Sequence, residues 1–338
     1  VNVEPFSLPL AEPFDTARGT MTERRGFLVR VEHAGEIGVG EATPLPGWTE
    51  AYDDCRAALD RAGETEREAD ALATCEGMPA ARHAVSLAYA DATACARDVP
   101  LYRSLGTDEH VDRVPVNTTV GDADPETTAE RVRKAVGDGF DTVKLKVGAR
   151  SLDTDVKRLD AARAAAPDAT LRVDANGAWN VAEATRALDA FDSVEYVEQP
   201  LAAPSLDQHA ALREHGPARI ALDESVAAAG LNAVLESGAA DVVVLKPMAL
   251  GGVGRIVEAG RRARAAGVEP IVTTTFDAVY ARTAAVHAAA ALAPVSACGL
   301  ATGDALDADL AADPAPIESG AVTVPQGKGN SVPAPIGE

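Results

Sequence analysis

The chain of 338 residues has only six lysines, and three of them stand in short apolar runs where a charge needs a reason. Lys144 and Lys146 lie two positions apart in TVKLKVG, residues 142–148, a β-branched stretch bounded by Asp141 and Gly148; as a strand it shows both amines on one face. Lys246 closes a second run, VVVLKP. Three further runs end in acids: Asp174, followed by Asn176, in TLRVDANG; Glu198 in SVEYVEQP; and the adjacent Asp223 and Glu224 in RIALDES. Three oxygen ligands with neither His nor Cys among them suit a hard cation, Mg²⁺ first and Mn²⁺ as its substitute. Neighbours on a strand point to opposite faces, which makes Asp223, with its shorter side chain, the expected ligand and leaves Glu224 in support. A carboxylate substrate on such an ion sets its α-carbon beside an amine. Removing the α-proton gives an enediolate whose charge the ion stabilises, and a desolvated lysine beside another cation has a pKa low enough to act as base.

The elements that must hold these groups are legible from Val114 onward. VPVNTTV, TVKLKVG, TLRVDANG, SVEYVEQP, RIALDES, DVVVLKP, EPIVTTTF and SACGLAT are eight short apolar runs, and helical segments rich in Ala, Arg and Glu separate most of them, as at 127–137, 151–166, 181–191 and 206–215. Strand then helix, repeated at about 25 residues, is the signature of a parallel sheet, and eight repeats favour a closed α/β barrel. The polar residues fall at the C-terminal ends of the runs, the rim where such barrels build active sites. Strands two and six are opposite in a closed eight-strand barrel, so Lys146 and Lys246 should face each other across the mouth with the acids on the arc between them. Lys146, nearer the rim, is then the base. Lys144, one pleat deeper, is the cation that lowers its neighbour's pKa and contacts the substrate carboxylate or a metal ligand.

Residues 1–98 read differently. The stretch 24–48 alternates around Gly35, Gly38 and Gly40 like a β-meander ending in a Pro-Gly turn, and 51–72 and 80–96 have helical spacing, which gives a small α+β unit before a barrel at 99–314. The tail, 315–338, resumes strand-like alternation and is expected to rejoin the first unit. Gly251, Gly252 and Gly254 match neither phosphate-loop nor dinucleotide spacing and read as a tight turn opening a helix. A net charge of −21 argues against nucleic acid or an anionic membrane as partner, and leaves a small carboxylate and a second copy of the chain as the expected ones. Arg far outnumbers Lys and acids abound, a balance expected of surfaces adapted to concentrated salt, where the Debye length falls to about 3 Å at 1 M. Cys55, Cys75, Cys95 and Cys298 lack zinc-site spacing and read as reduced thiols, and the six histidines show no strand-end pattern. With no basic-then-apolar leader and no apolar run of about 18 residues, a cytoplasmic location is expected.

Lys144-x-Lys146, Asp174-x-Asn176, Glu198-Gln199-Pro200, Asp223-Glu224-Ser225 and Lys246-Pro247 together resemble the enolase superfamily, in particular its muconate-lactonising subgroup. The resemblance covers nearly the whole chain and implies a (β/α)7β TIM-like barrel, with the first unit and the returning tail as an α+β capping domain. It implies Lys146 and Lys246 as the acid/base residues and Asp174, Glu198 and Asp223 as Mg²⁺ ligands. Lys144, Asn176, Glu224, Thr274, Thr275 and Trp48 fall in substrate-binding or supporting positions, and loops near 19–25 and 45–48 would close over the substrate. Within the subgroup, GEATPLPGW, KPMALGG and TTTFDAVYARTAAVHAAAAL are similar to stretches of the dehydratases that form o-succinylbenzoate for menaquinone. That likeness implies a syn elimination of water in which Lys146 takes the α-proton and returns it to the departing hydroxyl, with Lys246 as a stabilising cation. Thr273, Thr274 and Thr275 stand where serines are usual in that group. A racemase of N-acylamino acids would be expected to carry Gly-Gly-Met near strand seven, and a dipeptide epimerase Asp-x-Asp after strand eight; this chain has Gly299-Leu300-Ala301 there, and Asp307-x-Asp309 lies further downstream. A lysine Schiff-base aldolase on the same barrel, needing no metal, is the distant alternative.

Overall fold

The structure, a computed structural model, describes residues 1–16, 19–191, 193–216 and 218–334. The chain opens with a long antiparallel meander of β1 (Asn2–Thr16), β2 (Gly19–His33) and β3 (Glu36–Ala42). Alternation predicts strands from residue 24 onward but not β1, where Pro5, Pro9 and Pro13 interrupt it. An edge strand tolerates proline, and β1 lies at the edge of its sheet beside β2. Helices α1 (Tyr52–Gly63), α2 (Glu68–Thr74) and α3 (Pro79–Ala96) cover one face of the meander. Alanines line the approach of α3, and Gly40 has no room for a side chain: a Cβ there would lie 1.9 Å from the Ala84 carbonyl oxygen.

After α4 (Leu101–Ser104) the VPVNTTV run divides. β4 (Arg113–Pro115) leaves the barrel to pair with the tail strand, and only β5 (Thr118–Val120) enters it. Helices and strands then alternate: α5 (Pro125–Gly137), β6 (Thr142–Lys146), α6 (Leu152–Ala165), β7 (Thr170–Asp174), α7 (Val181–Ala190), β8 (Tyr196–Glu198), α8 (Leu206–His215), β9 (Arg219–Leu222), α9 (Glu224–Ala229), α10 (Leu231–Ser237), β10 (Val242–Leu245), α11 (Pro247–Leu250), α12 (Val253–Ala265), β11 (Glu269–Val272) and α13 (Val279–Ala291). The starts are capped as the sequence dictates. Asp124 accepts from the Thr127 N–H ahead of Pro125, and Asn180 and Glu183 form a reciprocal capping box.

β5 to β11 form one parallel sheet in sequence order. The eighth run makes, among the described residues, only single bridges, Cys298 with Val116 on one side and Gly299 with Thr273 on the other. The curled sheet and its bridges give the (β/α)7β barrel. Arg172 braces the closure from inside: its guanidinium donates to the Asn117 side chain at 3.0 Å and the Ala297 carbonyl at 2.6 Å, and it stacks on Tyr196. The tail supplies β12 (Ile317–Glu318) and β13 (Ala321–Thr323), which pairs with β4, and then reaches α3, where the Asn330 N–H donates to Asp91 at 2.7 Å. Residues 335–338 of that tail lie outside the described residues. No helix among the described residues is long and apolar enough to cross a membrane, and all four cysteines are free thiols.

Helix α13 is buried all round, wedged between barrel and cap, and mostly apolar apart from Arg282, Thr283 and His287. His287 on it stacks on Tyr102, ring centroids 6.0 Å apart, and burial pushes its pKa down to about 4. The folded chain therefore holds this imidazole neutral while the unfolded chain protonates it near pH 6.5. Its contribution is whole above pH 6.5 and lost as pH falls through 4, on the order of 3 kcal/mol. Urea unfolding of His287→Phe should consequently lose less stability between pH 7 and 4.5 than the parent does. Equal losses would show that His287 takes no part in acid sensitivity.

Candidate active site

The inner faces of the strands fall into two layers. Tyr196, Ala221, Val242 and Ile271 pack into an apolar floor. Glu198 and Asp223 follow two residues after Tyr196 and Ala221, Lys246 follows the end of β10, and Asp174, Lys146 and, one pleat deeper, Lys144 come to the same end of the sheet from β7 and β6. The register seats Lys146 beside Asp174 and Asp174 beside Glu198.

The charges pair tightly. Lys146 Nζ donates to Asp174 Oδ2 at 2.6 Å and to Asn176 Oδ1 at 2.8 Å. Lys144 Nζ lies 3.0 and 3.1 Å from the two Glu198 oxygens and 3.3 Å from Asp174. Lys246 Nζ meets Asp223 Oδ2 at 2.5 Å and sits 3.2 Å from the centroid of the Trp48 ring, a cation–π contact delivered by the cap. Exposure separates the three amines. The Lys146 side chain is 37% exposed, against 14% for Lys144 and 11% for Lys246. Lys146 is the amine that faces the open mouth.

Asp223 corrects the strand argument. β9 ends at Leu222, and Asp223 is the N-cap residue of α9 with a helical backbone, so Asp223 and Glu224 do not alternate across a sheet. Both carboxylates stay at the rim: Glu224 Oε1 accepts from Asn176 Nδ2 at 3.0 Å. Gln199, which spacing alone does not mark, fixes this turn. Fully buried, its Oε1 accepts from the Asp223 and Ser225 N–H groups at 3.1 Å each, and its Nε2 donates to Ser225 Oγ. The Glu198-Gln199-Pro200 motif contained the signal, because a polar residue beside a strand-end acid has a turn to organise.

Electrostatics shows what the cluster lacks. Burial pushes the Glu198 carboxyl up to about 7, with Asp174 adding to the shift against Lys144; burial likewise raises Asp223 to about 6 against Lys246. Burial opposes ionisation of Asp174 too, but Lys144 and Lys146 hold it well below the usual carboxylate range. Lys144 loses by burial and regains more from Glu198 and Asp174, so it stays firmly charged, as expected of a supporting cation. Asp223 Oδ1 and Glu224 Oε2 are buried without a hydrogen-bond partner among the described residues. Three crowded acids and orphaned carboxylate oxygens, with oxygen as the sole donor type, fit a hard divalent cation. No three such side chains already converge as a coordination shell among the described residues, because Asp174 and Asp223 are each turned onto a lysine.

Thr274 and Thr275 follow β11. Thr274 Oγ1 bonds Thr302 Oγ1 at 2.7 Å, joining the loops after strands seven and eight, and Thr275 Oγ1 donates to Asp277 at 2.6 Å. Asp309 accepts from the Val279 N–H and from Arg282, so it caps α13.

A (β/α)7β barrel with lysines on both sides of an arc of three rim acids is the frame of an enzyme whose chemistry sits at the C-terminal rim. The chain belongs to the enolase superfamily: the family described as "Enolase C-terminal domain-like" matches residues 127–334. Among curated relatives, an o-succinylbenzoate synthase of Mycobacterium tuberculosis is 38% identical over 216 residues, 61% of this chain and 63% of that protein; the match thus spans less than two thirds of that relative's length. An L-Ala-D/L-Glu epimerase of Bacillus subtilis is 31% identical over 304 residues, covering 84% of this chain and 82% of its own, and an N-succinyl-L-Arg/Lys racemase of Bacillus cereus is 28% identical over 308 residues, covering 86% and 83%. The solved substrate-liganded epimerase of B. subtilis superposes with a TM-score of 0.90 at 26% identity, over 99% of this chain and 98% of that one. A dipeptide epimerase of Enterococcus faecalis complexed with Mg and a dipeptide gives 0.86 at 26% identity, over 98% of both chains.

Proposed function

We propose that the chain is a Mg²⁺-dependent o-succinylbenzoate synthase. Asp174, Glu198 and Asp223 would hold the metal, which supplies Lewis-acid stabilisation to a bound carboxylate. Lys146, the exposed amine, takes the α-proton; the electron pair forms the new C=C bond as the neighbouring C–O bond breaks, and the hydroxyl leaves as water carrying that proton. Lys144 keeps Glu198 and Asp174 compensated, and Lys246, pinned between Asp223 and Trp48, presents positive charge on the opposite side. The cap loop bearing Trp48 covers that side of the mouth and excludes water.

The observation that carries this reading against an epimerase is the wall after strand eight. Gly299-Leu300-Ala301 is neutral, Leu300 is buried, and Asp309 downstream caps α13. Among the described residues, nothing in Gly299-Leu300-Ala301 matches a substrate ammonium. The racemase reading keeps two points in its favour: two lysines flank the site, and the racemase and epimerase relatives cover more of this chain. Incubation in D₂O with the succinyl-hydroxycyclohexadiene carboxylate, and separately with N-succinyl amino acids, distinguishes them. Dehydration should dominate; racemisation without dehydration would remove the proposal.

A further inference from the structure

We infer that Arg24, Glu41 and Asp277 form a buried clasp that sets both walls of the mouth, making Arg24 a positioning residue for the substrate site. This deepens the dehydratase reading and rests on it only for the identity of the ligand.

Arg24, on β2, is 3% exposed, yet it is spent on main chain from two sides. Towards the cap it donates to the carbonyls of Thr43 at 2.8 Å and Pro44 at 3.2 Å; towards the barrel it donates to those of Phe276 at 3.2 Å and Thr275 at 3.4 Å. Each acceptor sits on a segment that shapes the mouth. The cap segment continues into a closed turn, where the Trp48 and Thr49 N–H groups donate to the Leu45 carbonyl and the Leu45 N–H donates to Thr49 Oγ1, and this turn seats Trp48 over Lys246. The barrel segment carries Thr274 and Thr275, and Phe276 within it adopts a left-handed backbone, φ 58°, that a bulky residue holds only when its surroundings fix it.

Glu41 ties the same two bodies one layer below. From β3 its carboxylate accepts the Ala278 and Ala281 N–H groups at 2.8 Å each, so a cap residue caps the first turn of barrel helix α13, and it also accepts from the Thr43 hydroxyl. Asp277 accepts the Thr275 N–H and hydroxyl, and with Glu41 it compensates the buried charge of Arg24. The His83 ring nitrogen at 2.8 Å from the Glu41 carbonyl completes the contact from α3. Guanidinium geometry matters because one planar fork serves four carbonyls; an ammonium cannot span them.

The test compares Arg24→Met and Arg24→Lys with the parent by amide hydrogen exchange and by binding. In Arg24→Met, exchange across residues 273–281 should accelerate about 10-fold or more while 142–147 stays protected. Mg²⁺ affinity by calorimetry should hold within about twofold while affinity for o-succinylbenzoate falls about 10-fold, with Arg24→Lys intermediate. Thr275→Val, which removes only the Asp277 hydroxyl contact, gives a milder change in the same segment if Arg24→Met folds poorly. Unchanged exchange at 273–281 would overturn the clasp, as would equal acceleration at 142–147. Should the parent bind no o-succinylbenzoate, the dehydratase reading falls while the exchange data still decide the clasp.

Discussion

Lys146→Ala should lose turnover by about 10³ to 10⁴-fold, the scale of a positioned general base, while Mg²⁺ affinity stays within a few-fold. The two parts separate because Asp174 has two amines. Lys146 holds its Oδ2 at 2.6 Å, but Lys144 remains at 3.3 Å after the truncation and is itself firmly charged, so the Asp174 carboxylate stays ionised for the metal. The side chain that is cut is the most exposed amine of the three, so the fold loses little. Lys144→Met is the contrast. It strips a 14%-exposed ammonium from Glu198 and Asp174, both 1% exposed, and should cost folding stability on the order of 3 to 5 kcal/mol as well as activity. Metal calorimetry and steady-state turnover on Lys146→Ala decide the base assignment; activity near that of the parent would show that another group takes the proton.

The paired amines were legible because strand periodicity is short-range: TVKLKVG became β6, Thr142–Lys146, and alternation alone set both amines on one face. The same local logic placed Asp174, Glu198 and Lys246 at the same end of the sheet. It failed where a run's fate depends on a distant partner. VPVNTTV reads as one strand, yet the tail strand β13 captures Arg113–Pro115 and leaves Thr118–Val120 to the barrel. SACGLAT reads as a full strand, yet it closes the barrel through two bridges and the Arg172 brace, a contact 125 residues long in sequence. Asp223 misled because the strand stops one residue earlier than its apolar pattern, where Gln199 begins the helix. The clasp was hidden for the same reason: Arg24 and Phe276 are 252 positions apart, and neither belongs to a strand-end motif. Local pattern thus recovered the fold class and the rim charges, while the residues that aim them came from packing.

Asp223→Asn should weaken Mg²⁺ binding by about 100-fold and cut turnover at least as much, because the arc loses one of three anionic donors. Protonation gives this an independent signature. In the metal-free fold Glu198 titrates near 7 and Asp223 near 6, both above their unfolded values, so their contribution to stability is complete below about pH 4 and lost as pH rises through 6 and 7. A divalent ion binds the deprotonated pair, so it should release protons on binding, bind more weakly as pH drops below 7, and raise the melting temperature more at pH 8 than at pH 5. The asparagine cannot titrate, which removes the step near 6 and lowers that of Glu198, since the Asp223 charge no longer pushes it up. It also loosens Lys246 from its 2.5 Å partner, leaving that ammonium with Trp48 as its remaining contact of the two. Calorimetry in buffers of different ionisation enthalpy counts the released protons. A count independent of pH in the parent, or Mg²⁺ affinity unchanged in Asp223→Asn, would place the metal elsewhere; a lower count in the variant with weaker binding ties the ion to this carboxylate by charge and by geometry together.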